Sequence, residues 1–98
     1  MKIKKTKKVS GGKLISVEID INDSTIEDIK ITGDFFIHPE EAIFDIESFL
    51  RNKKIDNTLK DLLEKFCKER NFNIIGFSIE DLIELIKSAN KQKFYNFS

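Results

Sequence analysis

The stretch that decides the fold is Lys13-Leu14-Ile15-Ser16-Val17-Glu18-Ile19-Asp20-Ile21-Asn22. Ile15, Val17, Ile19 and Ile21 alternate with Ser16, Glu18 and Asp20, so an extended strand puts the apolar side chains on one face and the polar ones on the other. Asn22-Asp23-Ser24 then supplies turn chemistry. A second alternating run spans residues 26–32, with Ile29 and Ile31 inward and Asp28, Lys30 and Thr32 outward. Ile26 is out of phase, which predicts a bulge or turn residue there. Two alternating runs joined by a short polar turn make an antiparallel hairpin. Upstream, residues 2–9 read as a weaker third strand, with Ile3 and Val9 as its apolar members. The lysines of that segment suit an exposed edge, where charge discourages edge-to-edge association. Gly11-Gly12 separates it from the hairpin.

At Pro39 the period becomes helical. Pro39 suits the first helical position, where its missing N–H costs nothing, and Glu40 and Glu41 then lie near the positive end of the helix dipole. Ala42, Ile43, Ile46, Phe49 and Leu50 form the inward stripe and Phe44 lies off it. A second helix is expected from an Asn57 N-cap, with Leu59, Leu62, Leu63, Phe66 and Cys67 inward at helical spacing. A third begins at Ser78, where Ser78 and Asp81 form a capping-box-like pair and Phe77 and Leu82 a hydrophobic staple. Its inward residues are Ile79, Leu82, Ile83, Ile86 and Ala89. Residues 91–98 read as a loose tail in which Phe94, Tyr95 and Phe97 are available for docking. The fold class is therefore α+β, a small antiparallel β-β-β sheet followed by three helices packed on one face, in a single domain spanning residues 1–98.

Composition narrows the function. A chain of 98 residues buries one core without enclosing a ligand cavity as well. Net charge is zero, so nothing global points to nucleic acid or an anionic membrane. One cysteine, Cys67, excludes an internal disulfide and a Cys-rich metal site and fits a reducing cytoplasm. The basic start lacks the apolar core of a targeting segment. No apolar run approaches the ~20 residues that span a bilayer. A soluble, cytoplasmic protein is expected.

A self-contained catalyst is hard to assemble from these residues. His38 is the only histidine, so no His-His metal pair and no Cys-His dyad with a third orienting member can be built locally; no metal site and no catalytic residue is assigned. Cys67 lies on the second helix's apolar stripe and reads as a small buried hydrophobe rather than a nucleophile. Glu40-Glu41 and Glu80-Asp81 sit in first helical turns, where carboxylates are electrostatically favoured, so helix stabilisation explains them better than acid–base work. His38 reads as a helix-entry residue. Two stretches stand out. In Ser10-Gly11-Gly12-Lys13, glycines let backbone approach a ligand and Lys13 offers a point charge to a phosphate, against the plainer reading of a turn before a strand. In Gly33-Asp34-Phe35-Phe36-Ile37-His38-Pro39, one of two adjacent aromatics should face the core and the other a partner. Asp34 there reads as a ligand of local backbone N–H groups rather than an acid–base group.

Gly11-Gly12-Lys13-Leu14, the strand pair, Ile31-Thr32-Gly33-Asp34-Phe35-Phe36 and Pro39-Glu40-Glu41-Ala42 together resemble the C-terminal accessory domain of lipoate–protein ligases. The likeness continues into Gly76-Phe77-Ser78 with Glu80-Asp81 and covers nearly the whole chain. The basic run of residues 2–8 and the aromatic tail fall outside the matched pattern. In archaea and some bacteria this domain is a separate small polypeptide. The resemblance implies a fold similar to small sulfur-transfer scaffold (SufE/NifU-like) domains. It also implies a partner, the catalytic large subunit, which carries the lipoate pocket, the adenylate-binding segment and the catalytic lysine. ATP, Mg²⁺ and lipoate would be bound in the complex and not by this chain alone, and lipoyl-acceptor domains would be indirect partners. On that reading Gly11, Gly12 and Lys13 lie near the nucleotide or adenylate, and Asp34, Phe35 and Phe36, or the open sheet face, dock on the partner. Neither nucleic acid nor membrane is expected as a partner.

Two other classes compete. A nucleic-acid module would use the basic first strand, but the rest of the chain offsets that charge and no aromatic is interleaved within it. A free-standing scaffold or sulfur acceptor would want an exposed reactive cysteine, which Cys67 does not offer.

Overall fold

The structure, a computed structural model, describes the backbone of residues 2–95 and the side chains of residues 2–92. Strands β1 (Lys2–Lys8), β2 (Leu14–Asn22) and β3 (Thr25–Gly33) form an antiparallel sheet in the order β1-β2-β3. Alternation does the work anticipated for it. Ile3, Ile15, Val17, Ile19, Ile21, Ile29 and Ile31 are buried. On the opposite face Lys4 pairs with Glu18 and Glu18 with Lys30 across the strands, so unlike charges neighbour one another on the open side. Asp23 and Ser24 both have positive φ (52° and 57°), the two-residue hairpin turn whose twist matches the flanking strands. The register shifts between Asp20 and Ile21: Asp28 faces Asp20 but Ile26 faces Ile21. Glu27 is thus the extra residue of a bulge, and the out-of-phase Ile26 returns to the core, where it is fully buried.

Helices α1 (Ala42–Leu50), α2 (Leu59–Glu69) and α3 (Ile79–Tyr95) complete the core. Helix α1 packs on β3, α3 on β1 and β2, and α2 against α1 and α3. Ile46, Leu50, Leu59, Leu63, Leu82 and Ile86 are fully buried beneath them. The capping box of α3 forms as expected: Asp81 N–H donates to Ser78 Oγ and Ser78 N–H to Asp81 Oδ2, each at 3.0 Å. Helix α1 also closes the β3 edge. The Ile31 N–H donates to buried Glu47 Oε2 at 2.7 Å. Just beyond α1, Asn52 N–H donates to Ile26 O at 2.6 Å and Ile26 N–H to Lys53 O at 2.9 Å.

Four expectations change. Pro39 does not open α1. His38 is held extended opposite Asn73, so the chain must turn first; Pro39 O accepts the Ala42 N–H at 3.0 Å and Glu41 is the residue preceding the helix. Asn57 is not the cap of α2, which begins after Thr58; Asp56 Oδ1 instead accepts the Thr58 N–H at 2.9 Å. Leu62, assigned inward, is 43% exposed, because α2 is flanked by helices and buries a narrower stripe of Leu59, Leu63 and Cys67. Helix α3 continues to Tyr95, past the point at residue 91 where a loose tail was expected, since Lys91-Gln92-Lys93 contains no helix breaker. The side chains of Phe94 and Tyr95, and all of Phe97, lie outside the described residues. A second sheet also went unread: β4 (Phe36–His38) pairs antiparallel with β5 (Asn73–Ile75).

Candidate functional site

The Gly11-Gly12 segment is a tight turn pinned at its base. Gly11 and Gly12 have φ of 83° and 78°, the left-handed region that glycine enters without steric cost. Val9, buried, anchors the turn from below: its N–H donates to Lys13 O at 2.8 Å and its carbonyl accepts the Gly12 N–H at 3.1 Å. Residues 10–14 are all exposed. A Cβ on Gly11 would meet nothing within 4 Å, so the backbone there is bare to a ligand.

The second singled-out stretch lies against the first. Asp34 N–H donates to Leu14 O at 2.8 Å, and Asp34 Oδ2 accepts the Leu14 N–H at 3.3 Å. The carboxylate of Asp34 thus binds local backbone, as expected for it. Gly33 makes the approach possible: a Cβ there would stand 2.3 Å from Leu14 O. Gly76, at φ 119°, does the same on the other flank, where a Cβ would lie 2.9 Å from Asp34 O and 3.0 Å from Phe35 Cα. All four glycines of the chain therefore serve one end of the molecule.

Close packing at Gly76 decides how the two aromatics divide. Phe35 turns inward, half-buried, with its ring edge-on to Phe77 at 5.0 Å and 86°. Phe36 turns outward and is 73% exposed. Its cross-strand partner is Ile75, 55% exposed. Leu14, 45% exposed and tied to Asp34, adds a third apolar side chain at this end. Leu14 and Ile75 were not singled out from sequence. Leu14 entered only as part of the Gly11-Gly12-Lys13-Leu14 motif and the strand run, and Ile74-Ile75 carries no period by which strand or helix could be told.

Other candidates are placed apart. Cys67 is buried and burial pushes its thiol pKa up to about 11, so the nucleophilic thiolate is scarce at neutral pH. His38 is exposed on β4 opposite Asn73. Asp81 is engaged by Ser78 and by Lys7 Nζ at 3.2 Å, and Glu84 is a second partner of Lys7. One charge of the basic strand is thereby neutralised by α3. Among the described residues no group of three His, Cys, Asp or Glu side chains is arranged to hold a metal ion, and no helix is long and apolar enough to cross a membrane.

What this end of the molecule offers is an exposed glycine turn with a lysine, near the outward apolar side chains of Leu14, Phe36 and Ile75. Comparison with known proteins identifies the family. Residues 1–86 match the family model of the bacterial lipoate protein ligase C-terminus. A lipoate-protein ligase A subunit 2 from Thermoplasma acidophilum is 36% identical over 76 residues, which cover 76% of this chain and 77% of that one. A chain from a solved archaeal lipoylation system of the same organism, a bipartite lipoate protein ligase and its E2 lipoyl domain, superposes with a TM-score of 0.71 at 31% identity. That match covers 88% of this chain and 97% of the other.

Proposed function

From the premise that this chain belongs to the lipoate protein ligase C-terminus family, we propose that it is the accessory subunit of a two-part ligase. It acts in the cytoplasm with a separate catalytic subunit that activates lipoate with ATP. The observation that carries this reading is the match, over most of both chains, to a relative that is itself a second subunit. The exposed Leu14, Phe36 and Ile75 support it, since an outward apolar cluster on so small a domain asks for a partner.

The reaction has two steps. The lipoate carboxylate attacks the α-phosphorus of ATP, expelling pyrophosphate and leaving lipoyl-adenylate; the amine of an acceptor lysine then displaces AMP to form the amide. The mixed anhydride hydrolyses in water, and the triphosphate must be held in line for attack. A rigid domain closing over the catalytic subunit serves both needs without a nucleophile of its own. In this arrangement Phe36, with Leu14 and Ile75, docks on the catalytic subunit, while Phe35, packed on Phe77, and Asp34, bound to Leu14, fix the junction behind it. Docking there brings the neighbouring Gly11-Gly12-Lys13 turn over the nucleotide, with Lys13 near a phosphate. Beyond Leu14, the open sheet face carries Lys4, Glu18 and Lys30, is polar and makes the poorer docking surface.

The test is formation of lipoyl-adenylate from lipoate and MgATP by the catalytic subunit, with and without this chain. Adenylate should form efficiently only when both are present. Equal activity of the catalytic subunit alone, with no co-purification of the two, would sink the proposal.

A further inference from the structure

We infer that Lys8 is a second cation of the Gly11-Gly12-Lys13 turn, and that the turn is a two-lysine cradle for a polyphosphate. Lys8 ends β1 directly opposite Leu14, and its Cε lies 3.7 Å from where a Cβ of Gly12 would stand. Its side chain therefore lies over the bare glycine backbone rather than away from it. Closing the turn uses the Val9 and Gly12 amides, and those of Ser10 and Gly11 have no partner among the described residues. Successive free amides in a turn of this kind form a concavity suited to anions.

A polyphosphate carries several negative charges, so two lysines at the turn match it better than one. The Asp34 carboxylate beside the turn is engaged by the Leu14 N–H. Unlike Lys7, which α3 holds through Asp81 and Glu84, neither Lys8 nor Lys13 has an ion-pair partner among the described residues. The ligand class is a chain of phosphates: the β,γ-phosphates of MgATP before reaction, or pyrophosphate after it.

This assignment rests on the nucleotide-facing reading of the turn, and the two can fail separately. In the reconstituted pair at saturating accessory subunit, Lys8→Ala should raise the KM for MgATP roughly three- to fivefold, the effect of one exposed charge. The KM for lipoate should stay constant, and Lys8→Arg should restore the wild-type value. Inhibition by added pyrophosphate should weaken in parallel. Weakening confined to pyrophosphate would support the cradle and assign it to the released product. Unchanged constants for both ligands, or a loss that only follows weaker subunit association, would overturn the role of Lys8. If instead the wild-type chain fails to stimulate adenylate formation, the accessory reading itself falls.

Discussion

At the scale of single residues, the glycines carry unequal burdens. A methyl group on Gly33 would drive into the Leu14 carbonyl at 2.3 Å, so Gly33→Ala should cost about 2–4 kcal/mol of stability in urea unfolding, as strain at a special backbone angle plus a backbone clash does. Gly11 meets nothing within 4 Å, so Gly11→Ala should cost only the ~1 kcal/mol of a left-handed backbone. The pair of variants separates crowding from conformation. Asp81 makes stability depend on acid. The Ser78 amide first, with partial burial opposing and Lys7 assisting, holds its carboxyl below the ordinary range. A lowered pKa in the folded state contributes stability that is present above the unfolded value of about 4 and is lost as pH falls through the folded one. Asp81→Asn should therefore lower stability at neutral pH by about 1 kcal/mol and flatten the fall in stability below about pH 4, read from thermal midpoints across pH. Cys67 is inert for the same reason it was readable: an apolar helical stripe places it in the core, and native protein should react with a thiol reagent far more slowly than unfolded protein.

Among the elements, the β3 edge depends on α1. Glu47→Ala would leave the Ile31 N–H buried without an acceptor and should cost about 1–3 kcal/mol; Glu47→Gln keeps an acceptor and should cost less. Light scattering of the Ala variant should also reveal self-association, because an uncovered strand edge is a template for pairing. None of this was legible beforehand, since Glu47 looks like any acidic helix residue and its partner is sixteen positions earlier in the chain. What local periodicity encodes was legible: the period-two runs of β2 and β3, the bulge that Ile26 signals and the Ser78–Asp81 cap, whose bonds span three residues. Strands β4 and β5 are each three residues long, too short to show a period, and they exist only because the chain brings Phe36 and Ile75 together. The two stretches of the candidate site were visible separately, as Gly-Gly-Lys and Gly-Asp-Phe-Phe. Their adjacency was not, because it is made by backbone contacts through Gly33 and Gly76. On β4 and β5, Phe36→Ser and Ile75→Ser should each weaken association with the catalytic subunit at least tenfold, as loss of an apolar anchor does. Their thermal midpoints should stay near that of the unaltered chain, since both side chains already face outward.

For the molecule as a whole, the proposed site is polarised. The Gly11-Gly12-Lys13 turn, Phe36 and Ile75 sit at the end bearing the glycines, while the Asp23-Ser24 hairpin turn marks the opposite end. Asn90 of α3 donates to Ser24 Oγ at 3.4 Å, so variants at the hairpin turn should alter stability, and they should leave the KM for MgATP in the reconstituted pair unchanged. Strand β1 runs the length of that axis: Lys2 pairs with Asp20 near the hairpin turn, and Lys8 pairs with Leu14 beside the glycines. Its seven residues span roughly 20 Å at the rise of an extended strand. A polypeptide tether attached ahead of Lys2 therefore leaves the domain near the hairpin turn, at the end away from Leu14 and the proposed docking residues. Any single-chain version that fuses a catalytic domain at that point needs a linker long enough to double back over this distance, and one made too short would hold the two halves in register for covalent connection but out of register for work.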